Sequence, residues 1–265
     1  MGRPARGPNT AEPRGNVTAA RAIDLLSLFD DQHPVISAGE AAKALGMSRS
    51  TTYRYLQSLR AAGLVEDDET SGGLRLGPRV LQLAAIARAS WDLGAVAVPV
   101  MRRLTEATRE TTVLTRRTGD HVICVEEVRS PNPIRLSYER GRVLPVHAGA
   151  SAKVLIAWLA GEELTALLER TQLRDFTGAT VTSEASLRQD LERIRARGYA
   201  ITRGEVDAGV LGVAAPIFRR SGEVVAGLSV VAPEYRVAEG EVDGLVALTL
   251  EAATELTRRV VEHDV

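Results

Sequence analysis

The stretch ALGMSRSTTYRYLQSL, residues 44–59, decides how the first third of this chain folds. Leu45 and Gly46 interrupt a helical run, and Gly46 suits the left-handed backbone of a sharp turn. Ser48 then stands where an N-cap belongs, its hydroxyl able to accept a free amide of the next turn. The helix it opens runs to about Ala62. Helical spacing puts Thr52, Leu56 and Leu59 on one face and Arg49, Ser50, Tyr53, Arg54 and Gln57 on the other. Immediately upstream, SAGE at 37–40 matches the S-x-x-E capping box, in which serine hydroxyl and glutamate carboxylate each take an opposing backbone amide. That capping box begins a short helix through Leu45, with Ala42 small enough to let the two helices cross. Two short helices joined by a glycine-containing turn make a helix-turn-helix. A further helix is expected from Thr18, as N-cap, to about Phe29, with Ile23, Leu26 and Phe29 at helical spacing, before DDQHP breaks it.

The residues after the second short helix complete the unit. GLVEDDETSGGLRLGP, residues 63–78, reads as strand, polar turn and strand, with Leu64 and Val65 pairing with Leu74, Arg75 and Leu76 across a Gly-Gly turn. Three helices and a hairpin make a winged helix. A helix fits the major groove of B-DNA, where arginine pairs with guanine and hydroxyls reach bases or phosphates. The expected contacts to double-stranded operator DNA are therefore Ser48, Arg49, Ser50, Thr51, Tyr53 and Arg54, with Arg75 of the wing reaching a phosphate.

Composition limits the alternatives. The chain has 265 residues, 45% hydrophobic and 25% charged, with a formal net charge of −1. Residues 1–80 carry +1 and the rest −2, so a nucleic-acid surface must come from placement rather than bulk charge. Cys124 is the single cysteine; no intrachain disulfide can form, which fits a reducing cytoplasmic setting. It lies in the alternating run HVICVEEV and is expected to be a buried strand residue. No apolar run is long enough to span a membrane, so no membrane partner is expected. The Pro/Gly-rich segment MGRPARGPNTAEPRGN lacks a signal-peptide core; residues 1–15 read as a disordered basic tail.

The remainder alternates differently. PRVLQLAAIARASW, from Pro78 to Trp91, is apolar all round and needs partners on more than one side; it reads as a linker helix, within 78–94, buried at a subunit contact. A helix over about 95–109 holds Pro99, tolerable near its first turn or at a kink. TTVLTRRTGDHVICVEEV is strand, Gly-Asp turn and strand, and IRLSYERGRVLPV adds another. SAKVLIAWL, EELTALLER and SLRQDLERIRARGYAITRG are helical, the last leading into a strand after Gly198. GVLGVAAPIFRRSGEVVAGLSVVAP is a hairpin turning at 220–222, and residues 239–261 form a long amphipathic helix. Hairpins flanked by helices predict an α+β domain with an antiparallel sheet. The expected division is 16–77 winged helix-turn-helix, 78–94 linker helix and 95–265 a second domain.

In order and spacing, ALGMSRSTTYRYLQSLRAAGLVE, LRLGPRVLQLA, LPVHAGASAKVLIAWL, RIRARGYAITRGE and GVLGVAAPIFRRSGEVVAGLSV together resemble the IclR family of bacterial transcriptional regulators, from about Asn16 to Val261. The resemblance implies a dimerising linker helix and a C-terminal GAF/profilin-like domain binding a small effector, often an organic or aromatic acid. It also implies a homodimer or homotetramer that represses or activates catabolic operons. The implied pocket is lined by Leu136 and Leu144, by backbone amides at Ala150 and Ser151, and by Thr202, Val210, Gly212, Ser229 and Val231. Thr202 stands where acid-binding relatives often carry Asp, Gly212 where they carry Cys, and Val231 in place of the second serine of an S-x-S pair. The pocket is thus expected to be less polar and roomier, favouring a larger or more apolar acid.

Other chemistries fit poorly. GASAK at 149–153 lacks the spacing of a phosphate loop, and Lys153 replaces the last glycine of a nucleophile elbow. A Ser151–His147 pair has no evident third member, and a serine at a helix start more often caps it; a hydrolase using Ser151 is the enzyme alternative. Lys153 could form a salt bridge or sense an anion, and the structural ion pair is the expected use. His33, His121, His147 and His263 are too scattered for a metal site, and no cofactor or catalytic residue is expected. A sensor acting through protein–protein contacts, with little DNA binding, is the runner-up to a regulator.

Overall fold

A computed structural model describes residues 17–30, 33–89 and 92–263. The expected basic tail, 1–15, lies outside them. The chain divides into two compact units at Ser90/Trp91.

In the first unit, α1 (Val17–Leu26) precedes the two-residue strand β1 (Val35–Ile36), α2 (Ala38–Ala44), α3 (Arg49–Ala61), β2 (Val65–Asp67), β3 (Leu74–Leu76) and α4 (Pro78–Ala89). Local signals set the boundaries. Ser37 Oγ accepts from Glu40 N–H at 3.1 Å while Ser37 N–H donates to the Glu40 carboxylate at 2.8 Å, the reciprocal capping box. Gly46 takes φ 60°. Ser48 Oγ accepts from Thr51 N–H at 3.2 Å, starting α3. Leu25, Ile36, Ala41, Leu56, Leu59, Val65 and Leu74 form the core. The three-stranded sheet has the order β1-β3-β2, all antiparallel, with Val65 opposite Leu76, Glu66 opposite Arg75 and Asp67 opposite Leu74.

Several expectations need correction here. Thr18 lies within α1 rather than capping it, and the helix ends at Leu26, short of Phe29. Leu25 supplies the buried contact, whereas Ile23 is 62% exposed. The strand β1 was not foreseen. Leu64 precedes β2, so the paired strand begins at Val65.

The second unit contains α5 (Asp92–Thr108), β4 (Thr111–Thr118), β5 (His121–Val128), β6 (Val143–Leu144), α6 (Ala150–Ile156), α7 (Gly161–Arg170), α8 (Glu184–Arg197), β7 (Ala200–Arg203), β8 (Val210–Phe218), β9 (Val224–Pro233) and α9 (Val242–His263). The strands form one antiparallel sheet, β6-β5-β4-β9-β8-β7. Successive side chains of its central strands enter different cores. Val113, Ala214 and Val231 join one built with α6, α7 and α8; Leu114, Val213 and Val230 join the other, built with α5 and α9. Both faces are therefore covered, which is why β8 and β9 read as nearly continuous apolar runs. Pro99 lies in the interior of α5, not its first turn. The segment expected as a full strand over 134–146 shrinks to β6; the rest is irregular. Cys124 is buried in β5, its Sγ donating to the Tyr138 carbonyl at 3.0 Å, and burial pushes its pKa up to about 12.

Candidate functional site: a recognition helix and a buried pocket

The α3 face opposite Thr52, Leu56 and Leu59 is open. Arg49, Ser50, Tyr53, Arg54 and Gln57 are all exposed, Tyr53 by 52%. Neither Arg49 nor Arg54 has an ion-pair partner among the described residues. The neighbouring arginines differ. Arg60 pairs with Asp67. Arg75 Nε donates to Glu66 Oε1 at 2.8 Å, and its guanidinium lies 3.8 Å from Asp68. The six residues expected on this helix also divide by task. The Ser48 hydroxyl holds the cap and lies 2.8 Å from Thr51 Oγ1 and 3.1 Å from Ser50 Oγ, so Ser48 and Thr51 serve the helix start, while Arg49, Tyr53 and Arg54 project freely. On α4, Leu81 and Ile86 are 71% and 62% exposed, with Leu83 beside them.

In the second unit, a cavity of about 30 Å³ lies between the start of α6, the irregular segment before β6 and the β7–β8 turn. Leu144, Ala150, Ser151, Thr202, Val210, Gly212 and Val231 all line it, as the resemblance implied. Leu136 and Ser229 do not. Leu136 is half-buried beside the α6 core. Ser229 is fully buried and accepts from Ser151 Oγ at 2.8 Å. This volume holds only one or two waters. The space left by Gly212 is already filled: an added Cβ would meet Thr202 Oγ1 at 3.2 Å and the Ala150 Cβ at 3.3 Å.

The polar groups of the pocket are largely engaged with one another. Ala150 N–H donates to Thr202 Oγ1 at 3.0 Å, and Gly149 N–H donates to Glu205 Oε2 at 2.9 Å. Fully buried Lys153 bridges Asp190 at 2.7 Å and Glu205 at 2.5 Å, the structural role expected of it; three hydrogen-bonded charges offset the cost of burial. Tyr138 OH donates to Asp207 Oδ2 at 3.3 Å, and burial holds the phenol's pKa well above its usual value, with Asp207 adding to the effect. Tyr138, Glu205 and Asp207 are lining residues that the sequence reading missed. Ser151 is not a cap, because Gly149 occupies that position without a side-chain bond. Nor does it meet His147, whose Nε2 lies 3.0 Å from the Arg174 carbonyl and whose ring stacks on Phe176.

Comparison with known proteins agrees with both halves. The model of the IclR helix-turn-helix domain matches residues 18–69, and that of the bacterial transcriptional regulator IclR C-terminal domain matches residues 86–258. The chain belongs to the IclR family. It is 34% identical over 252 residues to the regulator BhcR of Paracoccus denitrificans, covering 93% of this chain and 88% of that one. To XynR of Escherichia coli it is 33% identical, over 90% and 94% of the two chains. Among solved structures, a regulator from Silicibacter superposes with TM-score 0.84 at 31% identity, covering 92% of this chain and 96% of its own. An IclR homologue from Microbacterium hydrocarbonoxydans, complexed with 4-hydroxybenzoate, gives TM-score 0.74 at 27% identity, over 91% and 98%. This member of the IclR family is thus an α+β transcriptional regulator, with a DNA-binding helix-turn-helix domain ahead of an effector-binding domain. Among the described residues, no helix is long and apolar enough to cross a membrane.

Proposed function

We propose that α3 enters the major groove of a double-stranded operator and that Arg49, Ser50, Tyr53 and Arg54 make its base and phosphate contacts, with Ser48 and Thr51 fixing the start of the helix beside the backbone. The observation that carries this reading is the pair of guanidiniums, unpaired among the described residues, on an exposed helix just after a sharp turn. Arg75, tied to Glu66 and Asp68, is a weaker phosphate ligand than its position on the wing suggests. The exposed Leu81, Leu83 and Ile86 of α4 support self-association through that helix, as a homodimer or homotetramer; a symmetric dimer reads half-sites one helical turn or a multiple apart. The working division is a winged helix over 16–77, a linker helix over 78–94 and an effector domain over 95–265. The protein acts in the cytoplasm, without catalysis of its own.

The effector is an organic acid, as supported by the relative bound to 4-hydroxybenzoate. It acts by binding one arrangement of the dimer more tightly than another, since equal affinity for both shifts nothing. Fluorescence anisotropy with the DNA upstream of the gene tests the DNA half. Arg54→Ala weakens binding by about 1–3 kcal/mol if Arg54 reads a guanine, with the melting temperature unchanged. Unaltered affinity in a folded variant removes Arg54 from the contact set.

A further inference from the structure

Four arginines belong to α3 and the hairpin beside it, and they fall into two classes. Arg49 and Arg54 carry no ion-pair partner among the described residues. Arg60, in the last turn of α3, pairs with Asp67 at the end of β2. Arg75 on β3 donates from Nε to Glu66 Oε1 at 2.8 Å, and its guanidinium also lies 3.8 Å from Asp68. The register makes the Arg75 pair: Glu66 stands directly opposite Arg75 across the two strands, where opposite charges attract. Asp68 accepts from the Ser71 hydroxyl at 2.6 Å and from its amide at 2.9 Å, bonds that hold its carboxyl below the usual carboxylate range. Residues 66–69 are thus all acids, Glu66, Asp67, Asp68 and Glu69, where a wing that clamps a nucleic-acid backbone would carry cations.

Resting on the placement of α3 in the major groove proposed above, we infer that the wing acids are resident stand-ins for phosphate: Glu66 and Asp67 occupy Arg75 and Arg60, and so withhold two arginines from the sequence-independent part of DNA binding. A carboxylate offers a guanidinium the same paired oxygens that a phosphate offers. For Arg60 or Arg75 to reach the duplex backbone it has to leave a partner already in place, so each such contact yields only the difference between two similar bonds. Exposed ion pairs are individually weak, so the pairs lower affinity without abolishing it. Sequence-independent affinity comes almost wholly from phosphate contacts and the counterions they release, and this is the part that the pairs reduce. Arg49 and Arg54 keep their guanidiniums uncommitted, which leaves the reading of a site to the exposed face of α3. The result is a unit that holds loosely to arbitrary DNA despite the four arginines on α3 and the wing.

Fluorescence anisotropy on the full chain, with a labelled duplex of random sequence over a salt series, tests this. The double variant Glu66→Gln/Asp67→Asn binds that duplex more tightly than the parent does. Its slope of log K against log salt steepens by about one for each arginine released to a phosphate. A fourfold reduction in salt therefore widens its advantage by roughly threefold per arginine. Glu69→Gln, which takes a charge from the same wing but has no ion-pair partner among the described residues, leaves the slope at the parent's value. Adding Arg60→Gln and Arg75→Gln to the double variant removes both members of each pair and returns slope and affinity to the parent's. The substituted side chains are all partly exposed, and melting temperatures serve as the folding control. An unchanged slope in the double variant, an equal steepening from Glu69→Gln, or a gain that survives the loss of Arg60 and Arg75 overturns the proposal. None of these results touches the placement of α3, which Arg54→Ala tests on the operator. Failure of the parent and every variant to bind the duplex at low salt overturns both.

Discussion

On α3, Arg49 and Arg54 stand in solvent without a carboxylate partner among the described residues; on and behind the pocket wall, Thr202, Ser151, Tyr138 and the fully buried Lys153 are each already bonded to a neighbour. The two regions draw on similar residue types, and their hydrogen-bond and ion-pair accounts are opposite. A helix that presents uncommitted guanidiniums needs little rearrangement to meet a phosphate or a guanine edge; the capping serine that positions it lies at its start, away from Arg54. A pocket that satisfies itself must trade bonds, so a ligand gains only the difference between the bonds it makes and those it breaks.

The contrast can be broken most severely at Lys153. Lys153→Met leaves Glu205 without its cation and Asp190 with only its longer pair to Arg193 at 3.5 Å. It should cost about 3–5 kcal/mol of stability, the range for removing one partner of a buried pair, read by urea denaturation of the whole chain. Adding Glu205→Gln to that variant should recover part of the loss. A loss below about 1 kcal/mol would mean that the buried charges contribute little and that the pocket wall is softer than its bonds suggest. A smaller effect sharpens the other side. Ser48→Ala removes the acceptor for Thr51 N–H and should cost about 1 kcal/mol in the same measurement. Equilibrium stability equal to the parent's would move Ser48 from holding the helix to contacting DNA.

Much of the first unit was legible because its signals are local. Ser37 with Glu40, Gly46 and Ser48 lie within a dozen residues and fix two helices and the turn between them. The strand β1 escaped because its two residues, Val35 and Ile36, become a strand only by pairing with Arg75 and Leu74, some 40 residues on. Arg75 looked free for the same reason: the register that places Glu66 across from it emerges only when the hairpin forms, and cross-strand opposite charges then attract. In the second unit Gly198 ends α8 as read, whereas the start was read at Ser186 and lies at Glu184, with Ser183 as its N-cap.

The pocket was less legible. Leu144, Thr202, Gly212 and Val231 came from resemblance, because β8 and β9 are buried on both faces and their alternation carries no mark of which side faces a cavity. Ser229, placed on the pocket wall by the resemblance, lies fully buried behind it, where its Oγ accepts from Ser151. Tyr138, Glu205 and Asp207 were missed, although GEVDAG at 204–209 did hold a signal: two acidic residues in a short turn between apolar strands, a costly placement unless the turn is exposed or the acids have partners. Glu205 has Lys153, which sequence separation hid.

The central claim is that the open face of α3, and not any surface of the second unit, meets the operator. Photo-crosslinking tests it most directly. A benzophenone amino acid placed at Tyr53 should form a covalent adduct with operator DNA on irradiation, whereas the same group at Tyr235, which is 76% exposed in the second unit, should form none. Adducts from position 235 with none from position 53 would contradict the account.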